Sequence, residues 1–110
     1  MNLTNEAVKL HQNADRLRIA LQEELDGLYV KVNDRVIEAQ FDVQCQVLIT
    51  VYKPNRIETI GATTTYNDCR ILRQFKLVYP QADEVNARFS DLVSEVVSAT
   101  RKTQFQLNKE

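Results

Sequence analysis

Leu3, Ala7, Leu10, Ala14, Leu17 and Leu21 recur at alternating spacings of four and three, which places them on one helical stripe. Leu25 and Leu28 extend that stripe. The pattern predicts a helix over Asn5 to Asp26, with Thr4 as its N-cap, Glu6 in the first turn and Leu3 and Val8 at the staple positions. Gly27 supplies the left-handed residue that commonly ends such a helix. After it the periodicity changes from 3.6 to 2. Leu28 to Val32 reads as a short strand and Asn33-Asp34 as a two-residue hairpin turn.

From Ile37 onward every odd position is apolar: Ile37, Ala39, Phe41, Val43, Cys45, Val47, Ile49 and Val51. The even positions are Glu38, Gln40, Asp42, Gln44, Gln46, Leu48 and Thr50. Such alternation is the signature of a strand with one buried face. Fifteen extended residues span roughly 50 Å, whereas a compact chain of this length has a radius of gyration of only about 13 Å. A strand of that length must bend at a bulge or project as an arm.

Lys53-Pro54-Asn55-Arg56 reads as the next turn, with Ile57 to Ile60 at the hairpin tip and Gly61 breaking the pattern. A second long strand is expected over Thr63 to Tyr79, where Cys69, Ile71, Phe75, Leu77 and Tyr79 share one parity and Arg73 interrupts it. Pairing the two apolar sets puts Val51 opposite Thr63, Leu48 opposite Tyr66, Leu72 opposite Asp42 and Cys45 opposite Cys69. Pro80 stops the strand, and Asp83 is read as the cap of a helix from Glu84 to Lys102. Its stripe is Val85, Phe89, Leu92, Val96 and Ala99. The tail from 103 to 110 reads either as a frayed end or as a short edge strand.

The order α-β-β-β-α defines an α+β class: an antiparallel three-stranded meander with a long hairpin and helices packed on one face. A single domain over 1–110 is expected, since nothing in composition marks a boundary. With two Gly and two Pro in the whole chain, few turns and no Gly-rich phosphate loop are expected. Met1 to His11 has no continuous apolar run, and no stretch is long enough to span a bilayer. Without a leader the expected location is cytoplasmic, with Cys45 and Cys69 as reduced thiols.

Chemistry is thinly represented. His11 is the sole histidine and sits at the margin of a helix stripe, the cysteines lack metal-ligand spacing, and the carboxylate pairs Glu23-Glu24 and Asp83-Glu84 sit at helix ends. No catalytic residue, metal site or cofactor is assigned. The net charge of −1 gives no global attraction for nucleic acid, but Lys53 to Tyr79 carries Lys53, Arg56, Arg70, Arg73 and Lys76 against Glu58 and Asp68, a local charge of +3. Those five are the candidate nucleic-acid contacts. Leu48, Tyr52, Leu72 and Val78 intrude on the polar parity of the long strands and are the candidate partner-binding residues. The reading that follows is a non-catalytic interaction or assembly module, homo-oligomeric or bound to another protein through the long hairpin. Assembly factors, chaperones and phage accessory proteins use comparable layouts. Nucleic-acid association is the second reading, and a small-ligand binder or minor enzyme the third.

Overall fold

The computed structural model describes residues 3–38, 40 and 42–109. Helix α1 (Leu3–Glu24) is followed by strands β1 (Tyr29–Glu38), β2 (Val43–Lys53), β3 (Arg56–Ile60), β4 (Thr63–Asn67) and β5 (Arg70–Tyr79), then by helices α2 (Asp83–Ala87) and α3 (Phe89–Lys109). Strands β1, β2 and β5 form an antiparallel sheet in that order, and β3 and β4 form a separate two-stranded hairpin. The class is α+β, with the helices packed against one sheet face.

The stripe of α1 buries Leu10, Ala14, Leu17 and Leu21. They meet Val30, Cys45, Val47, Ile49 and Val51 of the sheet, and Ala82, Val85, Leu92 and Val96 of the C-terminal helices close the core. Gly27 adopts φ 84°, a left-handed conformation that an L side chain resists. The chain then turns into β1, where Gln22 clasps it: the side-chain amide donates to the Leu28 carbonyl at 2.7 Å and accepts from the Val30 N–H at 3.0 Å.

Several local expectations need correction. The helix begins at Leu3, so Thr4 lies inside it and does not cap it, and Val8 is exposed instead of forming a staple. Asn33-Asp34 is no turn, because the two residues pair with Leu48 and Val47 in the middle of the β1–β2 ladder. Tertiary pairing overrides their turn propensity, and the chain reverses after Glu38 instead. The fifteen-residue strand is therefore two strands. Ile37 belongs to the end of β1, while β2 is eleven residues long. Ala39 and Phe41 lie outside the described residues.

The second hairpin is also segmented. Pro54-Asn55 and Asp68-Cys69 interrupt both chains at the same level, leaving β2 with β5 on one side and β3 with β4 on the other. Asp68 takes φ 53°, and the Asn55 N–H reaches the Asn67 and Asp68 carbonyls at 3.0 and 3.3 Å. The true tip is Gly61-Ala62, between the paired Ile60 and Thr63, with Gly61 at φ 61° as a tight hairpin loop requires. The register differs from the expected one. Val51 faces Arg73, Leu48 faces Lys76 and Cys45 faces Tyr79, while Tyr66 faces Ile57. Both cysteines are free, Cys45 buried and Cys69 partly so.

At the C-terminal end, Arg88 leaves the helical region and divides the expected helix into α2 and α3. Ala82 occupies the N-cap position without a side-chain cap, so Asp83 lies in the first turn. Helix α3 continues to Lys109, so 103–109 is helical and not an edge strand, and its last residues are exposed. Arg101 donates to the Glu24 carbonyl at 3.1 Å, which satisfies an orphan acceptor at the end of α1.

Candidate functional site

Side chains alternate across a strand, so the burial of one parity fixes what the other displays. The odd residues of β2 and the even residues of β1 are turned to the helices. The opposite face has no helix on it. Along β1 it presents Tyr29, Lys31, Asn33, Arg35 and Ile37. Gln44, Gln46, Leu48, Thr50 and Tyr52 follow on β2, and Ile71, Gln74, Lys76 and Val78 on β5. Three cations stand on this face, and among the described residues none of its outward positions is acidic. Asp34 lies on the other side of β1 and accepts from His11 Nδ1 at 3.0 Å when that nitrogen carries the proton.

The face has two ends of different character. Toward the Glu38 end, Asn33, Arg35, Gln46, Leu48 and Lys76, with Asp34 and Val47 at the margin, line a shallow depression of about 410 Å³. Arg35 bridges to Gln46 Oε1 at 3.2 Å, a neutral acceptor that leaves its charge uncompensated. Toward the other end three tyrosines gather from three strands. The rings of Tyr29 and Tyr52 stack at a centroid distance of 5.6 Å, and Tyr66 of β4 stacks on Tyr29 at 5.2 Å. Offset ring stacking of this kind contributes about 0.5–1.5 kcal/mol beyond area burial. It also orients the β3–β4 hairpin, because Tyr66 is the ring that links the hairpin to β1.

That hairpin is an arm. Every residue of β3 is exposed, as are Gly61, Ala62 and the three threonines of β4. Ile60, beside the tip, is 79% exposed. The molecule measures 46 × 34 × 23 Å with a radius of gyration of 15.5 Å, against about 13 Å for a compact chain of this length.

The candidate partner residues divide between the two faces. Leu48, Tyr52 and Val78 stand on the open face. Leu72 does not, because the register shift at Val51/Tyr52 inserts it as an extra residue and turns it against the core. The five basic candidates do not form one patch. Lys76 alone is on the open face; Arg73 is on the helix side, donating to the Ala99 carbonyl and Thr103 Oγ1 at 3.2 Å each. Lys53 and Arg70 oppose each other at the arm's root, and Arg56 on the arm pairs with Glu58 at 3.0 Å. Tyr29 and Lys31 fall within the strand expected over Leu28 to Val32, but their face follows only from the β1–β2 register, while Arg35 lies beyond that strand's expected end. The even-numbered series Val30, Val32, Val36 was the available signal.

Elsewhere the polar chemistry is structural. Glu6 is buried on α1, and its Oε2 accepts from the Ala82 N–H at 2.9 Å and from the Cys45 thiol at 4.0 Å. Burial, with the Glu6 carboxylate second, pushes the Cys45 thiol up from its ordinary value, so it is a poor nucleophile. Cys69 lies across the interruption between β4 and β5, remote in the chain from the only histidine. Among the described residues no group of three His, Cys, Asp or Glu side chains is placed to hold a metal ion. A groove between α1 and α3, floored by Ala20, Val93 and Val97 and flanked by Glu23 and Arg101, offers no buried acid–base pair. No described helix is long and apolar enough to cross a membrane. Comparison with family models, with curated proteins and with solved structures returns no match.

Proposed function

We propose that this protein is a non-catalytic assembly module that associates with copies of itself through the β3–β4 arm. The observation carrying this reading is the exposed arm with Ile60 at its tip. An isolated two-stranded hairpin is marginal in water, since it has no third element against which to bury a face. Here one stands off the body with exposed isoleucines at 57 and 60, Ile57 sharing the Tyr66 face and Ile60 the opposite one. Covering both isoleucines with a second protomer would stabilise the arm, at about 25 cal/mol per Å² of apolar surface removed from water. The motive differs from the one the sequence offered. The hairpin is long because two paired interruptions carry it past the sheet, and no single strand exceeds its globule.

Light scattering tests the reading. The chain of 12.7 kDa is expected to give a discrete higher mass that rises with concentration. The variant carrying Ile57→Ser and Ile60→Ser is expected to fall back to the monomer mass with unchanged circular dichroism. A parent chain that stays monomeric up to about millimolar concentration, where association worth 4 kcal/mol would be visible, overturns it.

A further inference from the structure

We propose that the open face of the sheet binds single-stranded nucleic acid, with the tyrosine stack receiving bases and Lys31, Arg35 and Lys76 receiving phosphates. This surface is distinct from Ile60 but adjoins Ile57, the cross-strand neighbour of Tyr66. Binding is therefore measured on the Ile57→Ser/Ile60→Ser variant as well as on the parent, and the inference does not require the arm to make oligomers.

Charge argues first. The chain sums to −1, yet these three cations share a face on which, among the described residues, no outward position is acidic; the remainder of the chain therefore sums to −4. The segregation is local, so the net charge hides it. A polyanion approaching the face meets attraction, and one approaching the helices does not. Geometry argues next. Arg35 and Lys76 sit on the two strands flanking β2, level with Gln46 and Leu48 respectively, so they stand about 12 Å apart at the usual spacings across the floor of the depression. Lys31 lies two residues along β1 from Tyr29, roughly 7 Å, and so stands between the phosphate end and the aromatic end.

The aromatic end chooses the occupant. Sheet platforms for single strands combine a basic track with rings on which bases stack, and each stacked base contributes about 1–3 kcal/mol by alanine substitution. Tyr29, Tyr52 and Tyr66 come from three strands and lie next to that track; Tyr29 is stacked by both of the others, so the outer faces of Tyr52 and Tyr66 are the ones left for a base. A duplex has no free base face to offer them, and an acidic polypeptide has charge without the bases. Both would use the cations and leave the rings idle.

The chain has four tyrosines and no tryptophan, and three of the four tyrosines are on this face, so tyrosine emission reports the rings directly. The experiment uses the full chain at 50 mM salt with labelled mixed-sequence DNA and RNA single strands, the matching duplex, and polyglutamate as a competitor. Anisotropy is expected to rise with either single strand while tyrosine emission falls, and the salt slope is expected near −2, as about three phosphate contacts on a single strand give. Lys31→Ala and Lys76→Ala should each weaken binding about five- to tenfold, and the charge-matched Lys102→Ala on α3 should not. Binding by only one of DNA and RNA identifies the source and still supports the proposal. It is overturned by absence of binding at about 100 µM protein, by an equal loss in Lys102→Ala, by a duplex that binds as well as its strand, or by polyglutamate displacing the strand with no recovery of emission.

Discussion

Strands β2 and β5 pair against a layer of helices, whereas β3 and β4 continue the same two chains for five residues each with no helix behind them. The pairing rules are the same on both sides of the Pro54/Asp68 break. What differs is the side-chain code. In β2 every odd position from Cys45 to Val51 is buried, and that face gives the helices something to cover. Arg-Ile-Glu-Thr-Ile and Thr-Thr-Thr-Tyr-Asn have no such face. Backbone hydrogen bonds can shape a hairpin in either place, but only apolar burial attaches it to a core. The arm is held at its root instead, by one tyrosine stack and the Asn55 N–H.

The comparison breaks if the two halves respond alike to truncation. Ile49→Ala in β2 is expected to cost about 2–5 kcal/mol in urea unfolding, as a buried large-to-small change does. Ile60→Ala on the arm should stay within about 0.5 kcal/mol of the parent monomer. Next in size is Glu6→Ala, which strands the Ala82 N–H and should cost about 1–3 kcal/mol. Glu6→Gln keeps an acceptor and should recover most of that loss. Tyr66→Ala sharpens the contrast: about 0.5–1.5 kcal/mol is expected, visible as faster amide exchange over 56–67 with β2 unchanged. A uniform acceleration across β2 would show that the arm is part of the core's cooperative unit.

The smallest effect is in alkaline pH dependence. Burial raises the Cys45 thiol, and burial together with Glu95 and Glu84 raises the Tyr79 phenol against an opposing pull from Arg88. Both groups hold their protons longer in the folded chain than in the unfolded one. Stability from them is complete below the ordinary thiol and phenol pKa values and is lost as pH climbs through the folded ones. Cys45→Ala should flatten the first part of that decline whatever it does to stability at neutral pH. An unchanged slope between about pH 8 and 10 would refute the assignment.

The sequence made the helices and the class legible because their apolar stripes are long and periodic. The faces of β1 were not legible, for a reason rooted in hairpin arithmetic. In the β1–β2 ladder each even residue of β1 faces an odd residue of β2, as Val30 faces Val51 and Val36 faces Cys45. An apolar Ile37 on the outward side of β1 thus shares its parity with the inward residues of β2 and imitates one continuous strand. Asn33-Asp34 imitates a turn and so takes Arg35 out of the expected strand, while Lys31, within it, has no face assigned until the ladder with β2 is known. Leu72 was misplaced by a different device, a one-residue bulge that no alternation rule foresees. Distal pairing of Tyr66 with Ile57, and so the tyrosine stack, depended on the correct tip at Gly61-Ala62.

The bulge also gives the molecule a mechanical grain. A load applied at Gly61 along the hairpin pulls β2 and β5 in the same direction, so it shears β2 against β1 and leaves the β2–β5 pair together. Two rungs in from Lys53 and Arg70 stands Arg73, whose guanidinium ties β5 to the Ala99 carbonyl and Thr103 of α3. Tension that reaches this residue is shared with a 21-residue helix. The arm is therefore anchored through β5 to the C-terminal helix as well as to the sheet.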